Sequence, residues 1–177
     1  MNAVTLGRGN SGENHVSLKR FPIATRSGLY MAQELLIQVD SRERGKIIKR
    51  LQDIEDVKLE TVELEFGDYL LPNQIVIERK SATDFILSVV DGAIWDNIAH
   101  LKETYQQVVY IIEGDPYVAR FHQKALDVHR TFARMVVEQK ISVLPSADAD
   151  HSGMLIYLMG LTSMSTALDP HTVTPNV

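Results

Sequence analysis

The chain has 177 residues, 45% of them hydrophobic and 23% charged, with a formal net charge of −5. That length suits one domain with a substantial core, and the absence of cysteine excludes disulfides, thiolate metal sites and cysteine nucleophiles. No stretch approaches the ~18 apolar residues of a membrane span, and Met1 to Asn10 lacks the apolar run of a signal peptide, so an intracellular setting is expected, cytoplasmic or nuclear according to the host.

Residues 1–33 are polar, with Gly7, Gly9, Gly12 and Gly28 among scattered Ser, Thr and Asn. They read as a flexible extension. Leu35 to Val39 is a short apolar run closed by Asp40, the pattern of a buried strand. Asp40 to Arg50 carries Arg42, Arg44, Lys46, Lys49 and Arg50 against Asp40 and Glu43. This is a basic patch on an acidic protein, which also fits a solvated helix face. Ile47, Ile48, Leu51 and Ile54 share one helical face. Val57 to Phe66 alternates with a change of phase that suggests a bulge.

Gly67, Leu71, Pro72 and Asn73 then frame a tight hairpin, with Asp68 opening its first strand and Gln74 to Lys80 forming the second. Side chains alternate across a strand, so Glu78 and Lys80 share a face while Arg79 points the other way with Ile75 and Ile77. The hairpin can fold Asp68 back beside Glu78. Oxygen ligands of this kind suit a hard cation such as Mg²⁺ or Mn²⁺, and a lysine two residues on can neutralise charge on a phosphate. Alone, Asp…Glu-x-Lys is short and degenerate, and it also fits ordinary strand-end charges.

Ser81 is placed to cap a helix with Asp84 three residues on; Phe85, Ile86, Val89 and Val90 form its stripe until Asp91-Gly92 breaks it. Ala93 to Tyr105 reads as a second helix burying Ile94, Trp95, Ile98 and Leu101. Val108 to Ile112 is nearly all apolar, as in a central strand covered on both faces. Val128, Phe132, Met135, Val136 and Gln139 line a further helix, followed by a strand at Ile141 to Leu144. A last helix starts near Asp150, and its Met154 and Met159 suit core or a dimer face. Residues 163–177 read as a flexible tail, leaving 34–162 as the ordered domain. The six histidines show no metal-ligand pairing at helical spacing. Alternating strands and helices argue for an α/β fold, a central sheet flanked by helices. In such a sheet Asp40, at a strand end, could reach the region of Asp68 and Glu78.

Val39-Asp40-Ser41-Arg42-Glu43, Gly67-Asp68, Glu78-Arg79-Lys80-Ser81-Ala82-Thr83-Asp84 and Val109 to Gly114 together resemble the nuclease domain of the XPF/Hef family of structure-specific DNA endonucleases. The resemblance covers Leu35 to about Leu161. It implies a restriction-endonuclease-like core with a central mixed sheet, and Mg²⁺- or Mn²⁺-dependent cleavage of branched DNA (flaps, forks or junctions) in repair or recombination. It implies Asp68 and Glu78 as metal ligands, with the Arg79 carbonyl completing the shell. Lys80 becomes the catalytic lysine and Asp40 a third acidic group near the metal. Arg42, Glu43, Arg79 and Asp84 would hold the site or the DNA backbone. Ala93 and Asn97 stand where some members have arginine and glutamine, though Asn97 can still donate to a phosphate. The residues after Leu161 lack the paired glycines of a helix-hairpin-helix module. DNA grip is therefore expected to involve a partner, as a homodimer or heterodimer through the last helices. Two other functions fit the residues: a non-cutting partner subunit of an active nuclease, and a junction resolvase or restriction-type enzyme.

Overall fold

The computed structural model describes residues 34–117 and 125–168. Among these, six strands form one sheet in the order β2-β1-β3-β4-β5-β6. The chain runs β1 (Leu35–Asp40), α1 (Lys46–Gln52), β2 (Val57–Val62), β3 (Tyr69–Leu71), a 3-10 turn (Pro72–Gln74), β4 (Ile75–Ser81), α2 (Ala82–Asp91), α3 (Ala93–Thr104), β5 (Gln107–Glu113), α4 (Ala125–Val137), β6 (Ser142–Ser146) and α5 (Ala149–Leu168). The β1–β2, β4–β5 and β5–β6 pairs are parallel. β3 is antiparallel to both β1 and β4, so a three-residue strand joins two parallel blocks.

Alternation along each strand divides the core in two. Ile37, Val39, Tyr69, Ile77, Val109 and Ile111 face one way and pack with Ile47 and Leu51 of α1 and Ile156 and Tyr157 of α5. Val76, Tyr110 and Ile112 face the other way, against Phe85 and Ile86 of α2, Ile94, Ile98 and Leu101 of α3, and Val128 and Met135 of α4. A strand buried on both faces needs apolar residues at nearly every position, which explains the sequence of β5.

Four expectations change, the first being that Val90 leaves the apolar stripe of α2 and is exposed while Phe85, Ile86 and Val89 pack inward. The phase shift between Val57 and Phe66 is no bulge: β2 ends at Val62, and Leu64 is drawn inward by its backbone N–H, which donates to Asp40 Oδ2 at 2.9 Å. The last helix runs on through Thr162 to Leu168. Ser163 there is buried, and its carbonyl accepts from Asn73 Nδ2 at 2.7 Å, tying α5 to the 3-10 turn. Val136 does not join the apolar stripe of α4; it is exposed. The extension at 1–33 and the tail beyond Leu168 lie outside the described residues.

Candidate active site

The β3–β4 register pairs Tyr69 with Ile77, so one step further the antiparallel ladder sets Asp68 beside Glu78. The main chain of Asp68 makes that step on both sides. Its N–H donates to the Ile77 carbonyl at 2.9 Å, and its carbonyl accepts from the Asp40 N–H at 2.9 Å. Gly67 makes the approach possible. Its φ is +87°, and a Cβ there would lie 2.3 Å from Val76 Cγ2, so both backbone and space call for glycine.

Asp68, Glu78 and Lys80 share the α2/α3 face of the sheet. Asp68 Oδ2 accepts from the Arg79 backbone N–H at 2.6 Å. Glu78 is buried at 6% exposure; its Oε1 accepts from Lys80 Nζ at 3.0 Å and from Asn97 Nδ2 at 3.0 Å. The Tyr110 hydroxyl donates to Asn97 Oδ1 at 3.3 Å, so the amide of α3 is aimed from below. Burial, and then the Glu78 charge, holds the Tyr110 phenol above its ordinary range, which keeps it a donor. Burial also pushes the Asp68 carboxyl up to about 7; the Glu78 charge adds to this, and the Arg79 N–H opposes it.

Asp40 lies at the end of β1, buried, on the same face of the sheet. Its carboxylate is turned to other donors. Oδ1 accepts from Arg42 N–H at 2.9 Å and Arg42 Nε at 2.6 Å, and Oδ2 from Leu64 N–H. The Arg42 hydrogen bond, outweighing burial, holds the Asp40 carboxyl below the usual range. Arg42 Nη2 also donates to the Leu64 carbonyl at 2.9 Å. The structure thus brings Asp68, Glu78, Lys80 and Asn97 together and gives Asp40 the work of holding the loop before Asp68. No three or more histidine, aspartate or glutamate side chains form a ready metal cage among the described residues. Asp84 serves the start of α2, where Ser81 is the cap: Ser81 Oγ accepts from the Asp84 N–H at 3.1 Å and donates to Asp84 Oδ2 at 2.7 Å.

Arg79 points through the sheet to the α1/α5 face. Its Nη1 meets Glu113 Oε2 at 3.3 Å and its Nη2 lies 3.9 Å from Glu43 Oε1. The Tyr69 hydroxyl donates to Glu43 Oε2 at 2.9 Å, and Ser152 Oγ of α5 donates to Glu113 Oε2 at 2.8 Å. Arg79 Nε is buried with no hydrogen-bond partner among the described residues. Tyr110 and Glu113 lie within the Val109-to-Gly114 motif and Tyr69 continues the Gly67-Asp68 motif, but none of them was given a role from sequence, and Ser152 was not singled out. Glu113 carries the one usable signal, as the charged residue ending an apolar strand. The phenols are hidden because tyrosine is also an ordinary core residue.

The ERCC4 domain matches residues 39–159, a span that holds every site residue named above. The chain belongs to the ERCC4 domain family. The 3'-flap repair endonuclease Xpf of Saccharolobus solfataricus is 26% identical over 113 residues, 63% of this chain and 48% of that protein. The DNA repair endonuclease XPF of Mus musculus is 35% identical over 80 residues, 45% of this chain and 9% of that protein. XPF from Aeropyrum pernix, solved in complex with DNA, superposes with a TM-score of 0.70 at 26% identity, covering 74% of this chain and 66% of that one. The chain therefore spans half or less of the length of these two sequence relatives. Its fold is the restriction-endonuclease-like core, a mixed six-stranded sheet flanked by helices.

The donor set suits a hard divalent cation. Two carboxylates lie on one face, and their burial and mutual repulsion hold Asp68 near neutrality. A bound Mg²⁺ or Mn²⁺ would relieve that repulsion.

Proposed function

We propose that this ERCC4 domain is a metal-dependent endonuclease that hydrolyses phosphodiesters in branched DNA. The observation that carries the proposal is the pairing of Asp68 with Glu78 on one sheet face, with Lys80 Nζ 3.0 Å from Glu78. Asp68 and Glu78 would hold a Mg²⁺ or Mn²⁺ ion, with the Arg79 carbonyl as a further oxygen ligand and Asp40, engaged by Arg42 and the Leu64 N–H, as a third acidic group of the region. When bound, such an ion makes a water nucleophilic at neutral pH and polarises a phosphoryl oxygen. Lys80 supplies positive charge where the phosphate gains negative charge. Asn97 orients Glu78, and the Arg79 N–H orients Asp68. Both preset the oxygens before substrate arrives.

Three cations of the basic patch are engaged within the domain. Arg50 Nε meets Asp150 Oδ1 at 2.5 Å, Arg42 meets Asp40, and Arg44 Nη1 donates to the carbonyls of Ser41 and Glu43. Lys46 and Lys49 are then the first candidates for phosphate contacts, which position a strand without reading its sequence. A partner, whether a second copy or a relative, extends the grip on DNA.

The test is cleavage of labelled flap, fork and linear duplex DNA with Mg²⁺ and then with EDTA. Branched substrates are cut well above linear duplex, EDTA stops cutting, and Asp68→Ala abolishes it while binding persists. Equal cutting by Asp68→Ala, or none by the folded wild type on any substrate, refutes the proposal.

A further inference from the structure

We infer that Glu113 is a positioning residue for Asp68, acting through Arg79 from the opposite face of the sheet. The inference rests on the nuclease reading above for its kinetic consequences and on geometry for everything else. Asp68 Oδ2 is held by the peptide N–H of Arg79 at 2.6 Å. The placement of that peptide therefore sets the carboxylate. The Arg79 side chain leaves the same peptide in the other direction and ends between Glu113 Oε2 at 3.3 Å and Glu43 Oε1 at 3.9 Å. Of these two anchors, Glu113 is closer.

Glu113 is also the anchor that reaches beyond the sheet. Its Oε2 accepts from Ser152 Oγ at 2.8 Å, and fully buried Ser152 lies 2.9 Å from Ser146 Oγ at the end of β6. A line of contacts thus runs from α5 through Ser152, Glu113 and the Arg79 side chain to the Arg79 peptide and Asp68. The second anchor closes a ring, because Glu43 is bonded to the hydroxyl of Tyr69, the residue after Asp68. Outer partners of this kind are worth ~10–100-fold in metal affinity or activity.

The experiment uses the full chain and two readouts. One is Mn²⁺-dependent cleavage of a labelled flap, separated into kcat, KM for DNA and half-saturating Mn²⁺. The other is hydrogen exchange at the Arg79 amide relative to the amides of β5, which needs no catalysis. Glu113→Gln keeps the shape and removes the charge. It lowers kcat ~10–100-fold, raises half-saturating Mn²⁺, leaves KM within about twofold, and speeds exchange at Arg79 selectively. Glu113→Asp recovers part of each change, and Ser152→Ala gives the same pattern at smaller amplitude. A Glu113→Gln protein that melts like wild type with unchanged kcat and unchanged Arg79 exchange overturns the inference. So does exchange that quickens evenly across the sheet, which marks a general structural loss. If the wild type cuts nothing, the nuclease reading fails and the exchange arm still decides the role of Glu113.

Discussion

Glu78 and Arg79 are neighbours on one strand, yet the faces they serve are balanced differently. Next to this strand each face sets two carboxylates against one side-chain cation, Asp40 on the α2/α3 face being paired separately with Arg42. On the α1/α5 face, Arg79 lies between Glu43 and Glu113, and each carboxylate also takes a hydroxyl, from Tyr69 and Ser152 respectively. On the α2/α3 face, Lys80 and Asn97 both go to Glu78, while the Arg79 peptide N–H serves Asp68, and the Asp68 carboxyl rises to about 7. The same inventory gives a settled support on one side and a shortage of positive charge on the other. That shortage is what the proposed cation would fill.

Exchanging the cations of the two faces for alanine breaks the comparison most strongly. Arg79→Ala leaves Glu43 and Glu113, both partly exposed, without their shared cation. It is expected to destabilise the fold by about 2–4 kcal/mol, somewhat under the figure for a fully buried pair, read as a lower denaturant midpoint, with cleavage lost as well. Lys80→Ala takes the cation from buried Glu78, which keeps the Asn97 donor, so the midpoint should fall less, for a loss of about 1–2 kcal/mol, while kcat falls ~10²–10³-fold, the scale for losing one electrostatic group at a reacting centre. Equal stability losses in the two variants would show that the faces do not differ in kind.

Asp68→Asn sharpens the electrostatic half of the comparison. Folded Asp68 keeps its proton to about pH 7, whereas an unfolded chain releases it near the ordinary value of 3.8. Between those values the folded state holds more protons, so metal-free wild type loses stability as pH rises from about 4 to about 7. The variant keeps an oxygen for the Arg79 N–H and has nothing to ionise. At pH 8 without metal it should be more stable than wild type by about 2–4 kcal/mol, and the gap should close below pH 4. Added Mg²⁺ should raise the wild-type melting point only. A wild-type profile that rises from pH 4 to 7 would contradict the balance described for the front face.

Asn97→Ala gives the smallest of these effects. It removes one donor from Glu78 and strands the Tyr110 hydroxyl, and kcat should fall ~10-fold with half-saturating Mg²⁺ raised. Unchanged metal dependence would place Asn97 on the substrate instead of the ligand.

Much of this was legible in the chain because the informative signals are local. Ser81 and Asp84 announce the start of α2, and the alternation of Ile75, Val76, Ile77, Glu78, Arg79 and Lys80 fixes which side chains share a face. The placement of Asp68, Glu78 and Lys80 on one face then follows from strand geometry, and Met154 and Met159 pack on the core as one of the two options foresaw. What stayed hidden depends on contacts between distant elements. Asn97 looks like a phosphate donor until α3 is seen to set it against Glu78. Trp95 looks like plain core, but Arg134 from α4 lies 3.9 Å over its ring. The pairing of Arg50 with Asp150 spans 100 residues of chain, and no local pattern reports it. The composition after residue 162 suggested fraying, but Ser163 is buried and Met164 packs on the core, and the helix continues.

The clasp at Asp68 has a consequence for descent. The bonds that stitch β1 to β4 through this position, from Asp40 N–H and to the Ile77 carbonyl, belong to the main chain, so every residue type with a free N–H can make them. Under the proposed function only the carboxylate belongs to the chemistry. Cutting and architecture would then be inherited separately: one substitution at position 68 would silence cleavage and hand its descendants an intact platform.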